Sequence, residues 1–189
     1  MDRDARGRAL AHPHERRWPT RPDPRLITDT PAAVVFRQRL ESPVSVKIIS
    51  DSRVLPFPAD VIFDVLASPA GHVEMDGSGT VRGVASGPER LRDGARFKMK
   101  MRIGVPYQMS STVKEFEENR RIAWAHVGGH RWRYELEEVG GGTMVTESFD
   151  WSTSLAPRFI EMVGYPERHK ANLQKTLERL EEVVANRQA

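Results

Sequence analysis

The sequence predicts an α+β fold in which a curved antiparallel sheet of about six to seven strands is covered by one long C-terminal helix. Three observations carry this. Leu173, Leu177, Leu180 and Val184 recur at steps of four, three and four, which draws one apolar stripe along a helix from about Pro166 to Val184. Ala95–Ile103 alternates, with Ala95, Phe97, Met99, Met101 and Ile103 on one side and Arg96, Lys98, Lys100 and Arg102 on the other, as in a strand with one buried and one solvated face. A helix of roughly nineteen residues at about 1.5 Å each is ~28 Å long, close to the span of a strand of eight to ten residues. The helix can therefore cross such a sheet, and the space between the two is where function is expected.

In order, Val44–Leu55 is β-branched and partly alternating and ends at Pro56 and Pro58, so it reads as a first strand. Pro58 suits the first turn of a short helix through Leu66 that buries Val61, Ile62, Val65 and Leu66. A second short helix runs from Ser68-Pro69 to about Met75 and is broken by Asp76-Gly77-Ser78-Gly79. Strands follow at Thr80–Ser86, Ala95–Ile103, Tyr107–Phe116, Arg121–Val127, Arg131–Glu138 and Thr143–Trp151. A broken helix, Leu155–Val163, stops at Gly164-Tyr165-Pro166, because proline can begin a helix but not continue one. Leu155–Tyr165 then reads as a flap hinged at Gly164, a lid beside the groove.

The apolar faces set the expected register. A three-residue loop Gly128-Gly129-His130 places Trp124 opposite Tyr134 and His126 opposite Trp132, and a loop Val139–Gly142 pairs Leu136 with Val145, Tyr134 with Glu147 and Trp132 with Phe149. The inner face then holds Phe97, Met99, Met101, Tyr107, Met109, Trp124, His126, Trp132, Tyr134, Glu147, Phe149 and Trp151.

Composition narrows the function classes. No cysteine is present, which removes disulfides, thiol nucleophiles and Cys-ligated zinc and is compatible with the cytoplasm. No run approaches the ~20 apolar residues of a membrane span. Residues 1–43 hold nine Arg against six acids and six of the thirteen prolines, so the net charge of +3 resides there and the rest is neutral. This segment reads as a disordered, solvated tail. An arm touching nucleic acid or anionic lipid, or natural translation from near Val44, are the other readings. No nucleic-acid partner is expected, and the oligomeric state is open.

Pro56–Leu66, Gly94-Ala95-Arg96-Phe97, Arg121-Ile122-Ala123-Trp124, Gly142-Thr143-Met144-Val145-Thr146-Glu147 and Leu173–Leu180 resemble stretches of the START/Bet v 1-like (SRPBCC) superfamily, in its polyketide cyclase/dehydrase and lipid-transport branch. The resemblance covers roughly residues 44–186. It implies a helix-grip fold and a hydrophobic cavity for a lipid, polyketide or similar ligand. Relatives range from carriers to cyclases to co-chaperone-type interaction modules, and fold does not choose among them.

Such a cavity of ~300–1,000 Å³ has apolar and aromatic walls with a few orienting polar groups. The candidate ligand-binding residues are Phe97, Met99, Met101, Tyr107, Met109, Trp124, Trp132, Phe149, Trp151, Met162 and His169; the methionines suit an adaptable wall. Glu147 alternates with inward Val145 and Phe149, so desolvation should raise its pKa. With Tyr134 opposite and His126 two strands away it forms a candidate acid/base group. His72, Glu74 and Asp76 alternate sides of a helix end and read as a solvated loop, not a metal site. There is no metal triad, nucleophile elbow, phosphate loop or dinucleotide fingerprint, and no cofactor is expected. The first reading is a carrier of a small hydrophobic molecule, the second a cyclase/aromatase using His126, Tyr134 and Glu147. The third is an interaction module using the basic row Arg96, Lys98, Lys100 and Arg102.

Overall fold

The computed structural model describes residues 47–189. The expectations for the tail, and for Val44–Val46 of the first strand, lie outside them. Strand β1 (Ile48–Leu55) is followed by helices α1 (Ala59–Leu66) and α2 (Pro69–Met75). Strands β2 (Val81–Ser86), β3 (Arg96–Ile103), β4 (Val105–Glu117), β5 (Arg121–His126), β6 (Arg131–Val139) and β7 (Gly142–Asp150) come next, then helices α3 (Pro157–Met162) and α4 (Tyr165–Gln188). The seven strands form one antiparallel sheet in the order β1-β7-β6-β5-β4-β3-β2. A meander pairs each strand from β3 to β7 with its predecessor, and β1 adds to the outer side of β7. This is the helix-grip fold. Among the described residues, no helix is long and apolar enough to cross a membrane.

The alternation in β3 does what the sequence implies: Phe97 and Met99 are buried while Arg96, Lys98 and Lys100 are exposed. Helix α4 buries Leu173, Thr176, Leu177, Leu180 and Val184 against the sheet. Helix α1 plugs the lower end, with Phe63 edge-on to Phe116 at 5.4 Å. Each large side chain fully removed from water contributes about 1.5–3 kcal/mol, so this lower half holds most of the stabilising area. Two further ties hold α4 there. Arg53 of β1 pairs with Glu181 at 2.6 Å, and the Gly77 amide donates to Thr176 Oγ1 at 3.2 Å. Gly77 lies so close to α4 that a Cβ would stand 2.4 Å from the Thr176 nitrogen.

The β6–β7 register is the expected one, with Leu136 facing Val145, Tyr134 facing Glu147 and Trp132 facing Phe149. The β5–β6 register is not. Trp124 faces Trp132 and Ile122 faces Tyr134, two residues away from the expected pairing. The loop comprises Val127, Gly128 and Gly129, because the His126 amide bonds back to the His130 carbonyl and Gly129 takes φ 84°. A slip of two keeps every side chain on its own face, so the apolar pattern cannot detect it.

The His72, Glu74, Asp76 expectation also needs correction. His72 is buried: its Nε2 lies 2.7 Å from the Leu66 carbonyl and its ring stacks on Trp124 at 4.3 Å. Glu74 pairs with Arg187, and Asp76 caps the turn through Ser78 and Val81.

Candidate functional site

The inner face of the sheet divides into a filled lower half and an upper half in which several side chains are only half-buried. The strand ends fix which end is upper. The β3–β4 hairpin, the β5–β6 loop and the segment after β7 all lie at the same end, and α3 and the start of α4 follow from it. Loop and segment are stitched together: Thr153 Oγ1 donates to the Gly129 carbonyl at 2.7 Å, and the Leu155 amide to the Gly128 carbonyl at 3.1 Å.

In the lower half Phe97, Met99 and Trp124, expected to line a cavity, are core residues. Trp124 is sandwiched between His72 and Tyr134, at 4.3 and 5.6 Å. Next to it, one inward position nearer the β6–β7 turn than the row of Trp124, Trp132 and Phe149, lies the Tyr134–Glu147 pair. Tyr134 Oη donates to Glu147 Oε1 at 2.7 Å, and Glu147 is 2 % exposed with Oε2 unpartnered. Burial pushes the Glu147 carboxyl up to about 8, partly opposed by the Tyr134 bond and assisted by Asp76 and Asp51. The Tyr134 hydroxyl is driven well above its ordinary value, by burial first and then by the charge of Glu147. The pair is therefore a protonated acid and a neutral phenol near neutral pH.

His126 does not join them. Its position lies four residues further along the strands than the Ile122–Tyr134 pairing, roughly 13 Å at ~3.3 Å per residue. Its Nδ1 lies 3.0 Å from Ser111 Oγ instead. The expected three-residue acid/base group is thus a two-residue pair, the consequence of the register slip.

The upper half is a layer of rings. His130 packs on His126 at 5.0 Å and on Phe149 at 5.5 Å. His169, from the first turns of α4, contacts Phe149 at 4.7 Å, Trp132 at 4.9 Å and Tyr165 at 4.9 Å. Trp151 stacks on Phe149, and its Nε1 donates to Glu161 of α3 at 3.0 Å. Trp132, Met101, Tyr107 and Met109 are half-buried here. Burial raises the Tyr107 hydroxyl, as does the nearby Tyr165. It also lowers the imidazoles, His126 to about 3 with help from His130, His169 and His72, and His169 to about 4 with help from His130. His130 is lowered by burial as well.

Met162 is not a wall residue. It is 75 % exposed, and α3 buries none of its residues. Leu155, Phe159, Val127 and Val105 are likewise exposed, so this end is rimmed by apolar side chains. Gly164, the expected hinge, sits in the left-handed region at φ 68° between α3 and α4.

His130 and Tyr165 were not singled out from the sequence. His130 alternates with Trp132 and Tyr134, and Tyr165 stands four residues before His169 on one helix; those two spacings were the available signals.

Two surface hollows lie elsewhere. One of about 720 Å³ spans the outer face near Glu117, Arg121, Glu135 and Thr146, and one of about 410 Å³ lies along Pro88–Ala95. Between sheet and α4 the rings are at contact distance from one another. The outer face is charged: Glu115 is gripped by Arg133, Arg131 and Arg121, which hold its carboxyl below the usual range. The basic row of β3 is exposed opposite Gln108, Ser110 and Thr112 of β4.

Residues 47–185 match the protein family described as polyketide cyclase/dehydrase and lipid transport. The chain is 37 % identical over 147 residues to the uncharacterized protein Rv0088 of Mycobacterium tuberculosis, covering 75 % of this chain and 66 % of that one. It thus spans just under two thirds of that relative's length. Among solved structures, protein NE0264 from Nitrosomonas europaea superposes with a TM-score of 0.59 at 18 % identity, over 76 % of this chain and 97 % of the other. The di-domain ARO/CYC StfQ from the steffimycin biosynthetic pathway gives a TM-score of 0.54 at 13 % identity, over 75 % of this chain and 51 % of that one. At these identities the structural likenesses establish the fold.

Proposed function

The chain belongs to the polyketide cyclase/dehydrase and lipid transport family of the SRPBCC superfamily, and from that premise we propose that it binds and carries a small hydrophobic molecule between the upper sheet and α4. The observation that carries this reading is the aromatic layer in which, beside the sealed Phe149 and Trp151, the rings of Tyr107, Trp132, Tyr165 and His169 are left half-buried under an apolar rim. A core built only for stability would seal these rings as completely as Leu173 and Leu180 are sealed below them. The ligand enters beside α3, where Phe159 and Met162 of the helix and Leu155 just before it are exposed. A cytoplasmic location accompanies the reading, since a chain without cysteine does not depend on an oxidising compartment.

The test is native mass spectrometry of the protein purified from its own host, followed by denaturing extraction. A co-purifying apolar molecule of defined mass is expected, and its affinity should fall when Trp132 is replaced by Ala. A bare protein that binds no apolar probe would overturn the reading.

The Tyr134–Glu147 pair favours a second reading, a cyclase/aromatase-type enzyme. A carboxylic acid still protonated at neutral pH can donate to a carbonyl or aldol oxygen, and its ionised form can remove a proton alpha to a ketone. This reading rests on those two residues without His126. Glu147→Gln should abolish turnover of a poly-ketone substrate while leaving its binding within a few-fold, and unchanged turnover would dismiss the assignment.

A further inference from the structure

We infer that the molecule held in this groove is an amphiphilic organic acid whose ionised oxygen head group lies among His126, His130 and His169, and that its binding takes up a proton. The inference rests on the reading of the upper groove as the ligand site and adds the chemical class of the ligand.

Three imidazoles reach one ring layer from three separate places, namely β5, the residue that leads into β6, and α4. No ordinary packing requirement brings three histidines together, and an aliphatic side chain would fill any of these positions at less desolvation cost. One of them is unsatisfied: Nδ1 of His169 is buried without a hydrogen-bond partner, wedged among Trp132, Phe149 and Tyr165. A buried polar atom of this kind costs free energy until a partner arrives. A ligand oxygen in the layer would supply that partner.

The surrounding groups decide the charge of that oxygen. Tyr107 faces the layer from β4, Tyr165 from α4, and His72 lies below His126 from α2. On β7 the nearest ionisable inward group is Glu147, one inward position below Phe149 and still protonated near neutrality. On α3, Glu161 is engaged by Trp151 Nε1. The fixed cations stand at the rim: Lys47, whose carbonyl accepts from the Trp151 amide at the top of the edge strand, and the exposed Arg168 and Lys170 on α4. The exposed Glu167 of α4 and Glu161 of α3 stand at the same end, so the rim does not by itself select a charge, and further in an anion meets no permanent positive charge among the described residues. The imidazoles are the groups that can become cationic near neutral pH.

In the free protein burial keeps them neutral. A carboxylate placed within about 4–6 Å favours the imidazolium and reverses that balance. The ligand arrives as the carboxylate, one proton passes from solvent to an imidazole nitrogen, and an ion pair forms with no covalent bond made or broken. Net uptake approaches one proton per ligand, and affinity weakens as pH rises by up to about tenfold per pH unit over the linked range.

Calorimetric titration of the full chain with 1-naphthaleneacetate and 1-naphthaleneethanol, which share one apolar body and differ in the head group, tests this between about pH 6 and pH 8. The acid is expected to bind at least tenfold more tightly than the alcohol at the lower pH. It should lose that advantage as pH rises, and its heat should vary with the ionisation enthalpy of the buffer as required for proton uptake. His169→Phe and His130→Gln, each verified as folded by circular dichroism, should weaken acid binding more than alcohol binding, so that both the acid preference and the proton uptake are lost. Equal binding of acid and alcohol without proton uptake would overturn the inference and leave the groove reading standing. Failure of both probes to bind would overturn the two together.

Discussion

Replacing Glu147 with Gln should remove a pH dependence that the wild-type core cannot avoid. Burial holds the Glu147 proton up to about 8, against 4.5 for the ordinary side chain, while the Tyr134 bond opposes the rise and Asp76 and Asp51 reinforce it. Between those values the folded chain keeps the proton and the unfolded chain releases it. Stability therefore declines as pH rises from 4.5 to about 8 and is level above. One pKa unit corresponds to about 1.4 kcal/mol, so the whole decline is about 5 kcal/mol, of which about 3 kcal/mol has gone by pH 7. The buried histidines act with the opposite sign. His72, His126 and His169 are lowered to about 4, 3 and 4, so each withdraws stability as pH falls from 6.5 towards its folded value. The wild-type curve is the sum of both trends, and only a difference isolates Glu147. Urea unfolding of wild type and Glu147→Gln should show the variant gaining on the wild type by about 1.4 kcal/mol per pH unit from pH 5 to pH 8. Gln keeps an acceptor for Tyr134 and carries no titrating proton, so the gain has no other source. A difference that stays constant across this range would mean that Glu147 is ionised in the folded protein and that the desolvation argument fails.

Two further outcomes follow from named contacts. Tyr134→Phe removes the 2.7 Å hydrogen bond to Glu147 Oε1, which should cost about 1–3 kcal/mol and, because that bond lowers the Glu147 value, extend the decline of stability to higher pH in the same urea series. Gly77→Ala places a Cβ 2.4 Å from the Thr176 nitrogen and 2.8 Å from the Asn172 carbonyl oxygen, so α4 must shift at a cost of about 1–3 kcal/mol. Thermal unfolding should show Tm falling by several degrees, whereas Gly83→Ala, whose Cβ meets only the Lys100 Cδ at 3.8 Å, should leave it nearly unchanged.

The sheet and α4 were legible because both write their buried faces into a period. The alternation in β3 and the four-three-four steps from Leu173 to Val184 each permit one orientation only. The β6–β7 pairing was legible for the same reason, the glycine-rich turn at Gly140 to Gly142 leaving little choice of loop. The β5–β6 pairing was not, because Val127, Gly128, Gly129 and His130 admit three-residue loops in two registers that differ by an even number and bury the same side chains. That ambiguity is harmless for the core and decisive for chemistry: it separates His126 from Tyr134 and Glu147 and brings it to His130. His72 was hidden for another reason. A polar residue at the end of a short helix beside Asp76 and Gly77 reads as surface, and nothing local shows that Leu66 offers it a carbonyl and Trp124 a face to stack on.

The same packing explains why the two ends of α4 should differ in dynamics. From Leu173 to Val184 the helix buries a side chain on almost every turn, is tied to β1 by Arg53–Glu181, and touches the backbone at Gly77. From Tyr165 to Asn172 none of its residues is fully buried, and it starts from a left-handed Gly164 next to a helix with no buried residue. Opening the upper end therefore exposes Phe149 and Trp151 together with rings of Trp132, Tyr165 and His169 that are already only half-buried, whereas opening the lower end would expose the larger aliphatic core. Amide exchange should be fastest in 155–165, intermediate through Asn172, and slowest from Leu173 to Val184. Uniform protection along α4 would refute this division, and room for a ligand would then have to come from movement of the sheet. A graded profile would mean that the rings of Trp132, Phe149 and His169 part by tilting the first turns of α4 while the lower core stays closed.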